Sequence, residues 1–195
     1  MALFSSAYWA PILYYQIAAQ SDFVQIEQHE FYQKQSYRNR CLILSANGPL
    51  ALTVPVLRPH QAPIRDIRID YSVPWRQRHR RAIEAAYRSS AYFEEYYEDI
   101  DTLYQNEVPF LFDLNLQSWN IGLKLLGCSF PWELSDAFEP TDNVGGDYRN
   151  EMHPKKKRKP EWPALKPYFQ VFANKFGFTS DLCILDLLFN KGGLN

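Results

Sequence analysis

The densest run of chemically capable side chains reads Glu27-Gln28-His29-Glu30-Phe31-Tyr32-Gln33-Lys34-Gln35-Ser36-Tyr37-Arg38-Asn39-Arg40. Glu27 and His29 stand two residues apart, so in an extended backbone both side chains share one face. That is the arrangement a general base and its orienting carboxylate need. Lys34 and Arg40 can clamp a phosphate or carboxylate, Arg40 bidentately and Lys34 as a point charge. Asn39 can donate to a carbonyl or phosphoryl oxygen, and Tyr8, Tyr32 and Tyr37 can wall or stack on a sugar or base. Each of these has an ordinary alternative. Glu27 and His29 also read as a hydrogen-bonded surface pair, Lys34 and Arg40 as solvated charges, Asn39 as a turn terminator, and the tyrosines as packing.

Two other clusters carry charge. Arg76, Arg78, Arg80 and Arg81 fall around a helix whose apolar stripe is Trp75, His79 and Ile83. They can touch phosphates or pair with the acidic stretch Glu94–Asp101. His79, on the stripe, reads as a core or pocket-wall histidine. Lys155-Lys156-Lys157-Arg158-Lys159, between Pro154 and Pro160, looks like a basic import signal, but it reads more simply as a solvated loop. No phosphate-loop, dinucleotide, nucleophile-elbow or HExxH motif occurs, and the four histidines are too scattered to imply a metal site. Cys41 follows Arg40 but opens an apolar run, which favours an inert core thiol.

The elements that must position the cluster begin at the N-terminus. Ala2 to Ser6 reads as a buried strand, Ile12 to Gln20 after Pro11 as a helix, and Phe23 to Glu27 as a second strand. If the two strands are parallel they form a right-handed βαβ unit. Ligands bind outside the carboxyl ends of such strands, so Ser5, Ser6 and Tyr8 would share a rim with Glu27 to His29. Cys41 to Ser45 and Leu50 to Val56, joined through Asn47-Gly48, read as a β-hairpin. A short strand is expected at Ile67 to Ile69 within a proline-rich loop. Helices are expected at Trp75–Tyr87, Ala91–Tyr104, Leu114–Leu126 and Asp181–Leu188, the last capped by Asp181 and closed by Gly192-Gly193. The fold class is therefore α/β. A single domain over 1–195 is expected, its βαβ unit and hairpin forming a mixed sheet ahead of a mainly helical second half, with a mobile basic loop at 140–163.

The chain has 195 residues, 46% of them hydrophobic and 22% charged, which suits one globular domain and excludes disorder as the main description. The net charge of −1 excludes a global basic field, so anion binding must be local and nucleic acid is disfavoured. Three widely separated cysteines disfavour a disulfide framework and a structural zinc site, and favour a reducing compartment. No 20-residue apolar window appears, and the N-terminus lacks a signal-peptide pattern, so a cytoplasmic protein without membrane insertion is expected.

The sequence resembles the WbqC-like family of bacterial proteins. The resemblance rests on Tyr8-Trp9-Ala10-Pro11, Tyr14-Tyr15, Asp22, Glu27, and above all on Lys34, Ser36, Tyr37, Asn39 and Arg40. It continues through Leu52 to Val56, Trp75, His79, Tyr87, Tyr92-Phe93, Tyr168 to Phe172, Gly177-Phe178 and Ile184 to Asn190. Ser5-Ser6 stands where family members often carry Gln-Pro, and Gln28 follows Glu27 where many carry aspartates. The resemblance implies association with surface-polysaccharide genes, and so a role in transferring a sugar or an acyl group. On that reading an anionic, phosphorylated or nucleotide-linked precursor is held by Tyr8, Lys34, Ser36, Tyr37, Asn39 and Arg40, with Glu27 or His29 as base. The alternative is a non-catalytic binding or assembly protein of the same pathway. The residues specify no cofactor.

Overall fold

The computed structural model describes residues 1–57, 62–140 and 146–194. Pro59, His60 and Gly145, parts of the expected loops, lie outside the described residues.

Strand β1 (Ala2–Ser5) and strand β2 (Val24–Glu27) are joined by helix α1 (Ile12–Ala19). They pair in parallel, with Ser5 opposite Glu27, so the βαβ geometry expected of the N-terminus is present. β1 is buried along its whole length, as a parallel strand covered on both faces requires. α1 has no polar face: six of its eight residues are buried, which explains why its sequence lacks an amphipathic stripe.

The hairpin strands, β3 (Arg40–Ser45) and β4 (Gly48–Thr53), pair in antiparallel register across Ala46-Asn47. They do not extend the parallel sheet into one mixed sheet, and the molecule has two sheets. The reason is that both edges of the β1–β2 pair are already taken. On one side Leu3 donates to the Gly146 carbonyl at 3.0 Å and accepts from Tyr148 N at 2.9 Å. On the other, β5 (Trp132–Leu134) pairs in parallel with β2. β5 is only three residues long, too short to show a period in sequence.

The second half is mainly helical: α2 (Trp75–Tyr87), α3 (Phe93–Gln105), α4 (Leu111–Leu126), the short α5 (Ala173–Phe176) and α6 (Ile184–Lys191). Trp75, His79, Ile83 and Tyr87 form the expected buried stripe of α2. Ile67 to Ile69 forms isolated bridges to Val56 and Phe110 rather than a strand, after a 3-10 turn at Ile64–Asp66.

α6 starts three residues later than expected, and Asp181 is not its cap; Cys183 holds the cap position, without a side-chain bond. Residues 182–184 are instead held extended as a strap. Ile12 N donates to the Leu182 carbonyl (3.1 Å), Cys183 N to the Leu42 carbonyl (2.8 Å) and Ile184 N to the Ala10 carbonyl (3.0 Å). The strap thus ties the βαβ unit to the hairpin. Gly192, in the left-handed region at φ 85°, terminates α6 as the sequence indicates.

Candidate active site at the sheet rim

The carboxyl ends of β1 and β2 meet in a buried ionic lattice. Glu27 is fully buried. One carboxylate oxygen accepts from His29 N (2.7 Å) and Ser135 Oγ (2.6 Å); the other accepts from Glu139 N (3.2 Å) and Arg149 Nη1 (3.0 Å). Arg149 also grips Asp147 and the Glu139 carbonyl. Beside it, Arg38 forms a two-point pair with Glu30 and donates to Ser5 Oγ at 2.6 Å. Burial raises the Glu30 carboxyl above its ordinary range, against the opposing pull of Arg38. Every oxygen of Glu27 is thus engaged, which makes it the post to which Ser135, Glu139 and Arg149 are tied.

His29 is half-buried and stands apart from that lattice. Its Nε2 lies 3.1 Å from the Ser135 carbonyl, which can only accept. Nε2 therefore carries the proton, and Nδ1 keeps its lone pair. This is the tautomer selection by a fixed partner that a general base requires. His29 and Gln28 border an open groove of about 500 Å³, whose other walls include Arg65, Asp66, Phe110, Phe112 and Asp113. Arg65, Asp66 and Asp113 are exposed. The groove meets the first turn of α4, whose positive end already carries the Asp113 carboxylate.

The other expected site residues scatter. Tyr8 is in the core: its hydroxyl lies 2.9 Å from His79 Nδ1 and 2.6 Å from the Tyr104 hydroxyl, which accepts from Trp9 Nε1 at 2.8 Å. Burial raises the Tyr8 phenol well above its ordinary value and lowers the His79 imidazole to about 4. Ser36 donates to the Gln33 carbonyl (2.7 Å) in a turn where Gln35 takes a left-handed φ of 59°. Asn39 braces the hairpin, donating from Nδ2 to the Val54 carbonyl (3.0 Å) and accepting from Val54 N on its own carbonyl (2.8 Å). Arg40 opens β3 opposite Thr53; its Nε is buried and has no partner among the described residues. Lys34 is exposed. Tyr37 is half-buried and lines a different cleft.

Sequence reasoning missed Glu30, Arg38, Ser135 and Arg149 as the rim's lattice, and Arg65 and Asp113 as groove walls. Glu30 and Arg38 lie inside the polar run, but they meet because the chain between them turns at Gln33–Ser36, which their spacing does not encode. Ser135 and Arg149 lie over a hundred residues from Glu27 and leave no local signal.

A short parallel sheet with an antiparallel hairpin and a mainly helical second half defines an α/β protein, and a groove borders the carboxyl end of β2. The model of the WbqC-like protein family matches residues 6–148, well over half of the 195, and the chain belongs to that family. The match ends before the tail segments from Tyr168 onward. No curated protein and no solved structure matches the chain. Among the described residues no helix is long and apolar enough to cross a membrane.

Proposed function

We propose that this protein is a transferase of a sugar or acyl group, acting on an anionic or nucleotide-linked sugar precursor in bacterial surface-polysaccharide biosynthesis, with its chemistry in the rim groove. The observation that carries this reading is His29. The Ser135 carbonyl and the Glu27 contact to its backbone fix it, Nδ1 is left as a base, and it borders the groove directly after β2. Nδ1 would take the proton of an attacking hydroxyl or amine. Arg65 would hold the substrate's negative group. Glu27 would act as the positioning residue, through the backbone of His29.

Calorimetry of the full chain against nucleotide sugars and acyl donors tests the reading. Arg65→Ala is expected to weaken binding about tenfold or more, the scale of a lost charged hydrogen bond. His29→Ala is expected to bind but not turn over. Equal binding and turnover by wild type and both variants would remove the rim groove from the function.

A specific observation favours a second reading, a non-catalytic binding or assembly protein. Glu27 and Asn39 are spent on internal bonds, while Phe31 and Phe169 are 60% and 67% exposed. On this reading the same titrations give no heat with any small molecule.

A further inference from the structure

Two hollows that the rim does not use share a wall. One is an open groove of about 620 Å³ over the end of α1 and the 146–151 turn, and the other a cleft of about 90 Å³ between Tyr37 and residues 151–158. Glu151 and Trp162 border both, and neither hollow has a residue in common with the rim groove.

The cleft is furnished for an anion. Among the described residues Arg158 reaches acceptors at long range, Gln16 Oε1 at 3.5 Å and Asp181 at 3.7 Å, and most of its five donors have no acceptor there. His153 Nδ1 accepts from Lys155 N at 3.1 Å, so the neutral ring carries its proton on Nε2 as a donor. Lys156 gives the Asn150 carbonyl one hydrogen bond at 2.7 Å and keeps two N–H groups. Burial, then Lys155, Lys156, Arg38 and Arg40, lower the His153 imidazole, so positive potential converges there. The opposing carboxylates do not cancel it: Lys159 holds Glu151, and Asp181 is 60% exposed. At about 90 Å³ the cleft falls well short of the roughly 300 Å³ where drug-sized pockets begin, and it suits a single phosphoryl group.

The groove is furnished for a polyol. Trp162 is half-buried and meets Tyr148 edge-to-face at 6.4 Å. Asn150 Oδ1 accepts from Gln33, which leaves its NH₂ free to donate, and Glu161 is exposed as an acceptor. The Lys159 ammonium lies over one face of the Trp162 ring at 5.9 Å from its centroid; the indole lines the groove beside the Asn150 amide and the Glu161 carboxylate, and together they match the apolar ring face and hydroxyl rim of a sugar. We infer that the two hollows form one site for a phosphorylated monosaccharide, with the phosphoryl group in the cleft of Arg158 and Lys156 and the sugar ring at Trp162.

Calorimetry of the full chain with glucose 1-phosphate, glucose, inorganic phosphate and UDP-glucose tests this, each variant being checked for fold by circular dichroism. Glucose 1-phosphate is expected to bind at least tenfold more tightly than glucose or inorganic phosphate. Arg158→Ala and Trp162→Ala should each lose tenfold or more, whereas Arg65→Ala, which weakens binding if the ligand sits at the rim, should bind glucose 1-phosphate as wild type does, which separates this site from the rim. Glucose 1-phosphate should also bind more tightly than UDP-glucose, because the cleft takes one phosphoryl group; tighter binding of UDP-glucose would overturn the inference. If a variant fails to fold, the wild-type His153 ring resonances decide: saturating glucose 1-phosphate should move their titration midpoint upward. Inorganic phosphate binding as tightly as glucose 1-phosphate, folded variants binding like wild type, or an unmoved His153 midpoint would overturn the inference.

Discussion

Replacing Glu27 distinguishes a structural post from a catalytic carboxylate. Glu27→Ala removes four hydrogen bonds at a fully buried position. Arg149 is not orphaned, because Asp147 and the Glu139 carbonyl still hold it. The groups left without an acceptor are the Ser135 hydroxyl and the amides of His29 and Glu139. At about 1–3 kcal/mol for each unsatisfied buried group, and allowing for partial hydration of the half-buried His29, the loss is about 3–5 kcal/mol. For a chain of this length that lowers the melting temperature by roughly 6–20 °C. Glu27→Gln keeps the shape, but its amide donors meet Arg149 and the Glu139 amide, so it too should lose about 2 kcal/mol or more. Urea unfolding of both variants, with exposed Lys34→Ala as control, measures this. A Glu27→Gln protein as stable as wild type yet devoid of activity would refute the reasoning and return Glu27 to the role of base.

Three further outcomes follow from named contacts. The His79 imidazole titrates at about 4 in the folded chain against 6.5 unfolded. The stability it contributes is present above pH 6.5 and is lost as pH falls toward 4, a change of about 3 kcal/mol. Urea midpoints for wild type and His79→Gln between pH 7 and 4 should show a shallower fall in the variant. Gly122→Ala should destabilise despite alanine's better helix propensity, because its Cβ would lie 2.9 Å from Tyr15 Cζ and closer still to the hydroxyl. The expected cost is about 1–3 kcal/mol. Tyr15→Phe, which removes a buried hydroxyl lacking a partner among the described residues, should recover part of it in a double-mutant cycle read by thermal unfolding. Asn39→Ala should cost about 1 kcal/mol in urea unfolding by freeing the Val54 carbonyl, and leave ligand titrations of the rim unchanged.

The legible parts of the sequence were those written in local periods. Ala2–Ser5, Val24–Glu27, the Asn47-Gly48 hairpin and the α2 stripe follow from alternation, turn chemistry and four-residue spacing, which nearby residues determine. The parallel rim could be reasoned from chain order alone. What the sequence could not show was which groups meet across it. Glu27 reads identically whether it faces solvent or Arg149, and only the tertiary approach of Ser135, Glu139 and Arg149 decides. Asp181 looked like a cap because an aspartate precedes an apolar run. The run's first residues were instead drawn straight by backbone bonds to Ala10, Ile12 and Leu42, a tertiary pull that no local pattern encodes.

That strap has a consequence for how the chain can be divided. Recognition of the family ends at residue 148, but Ile184, Leu185, Leu187, Leu188 and Phe189 are almost wholly inaccessible to water. A fragment stopping at 148 would keep every strand yet expose the surfaces these five cover, and would lose the only stitches between Ala10 and Leu42 that run through residues 182–184. The boundary drawn by kinship and the boundary drawn by cohesion are therefore different lines, and only the second marks what can stand alone.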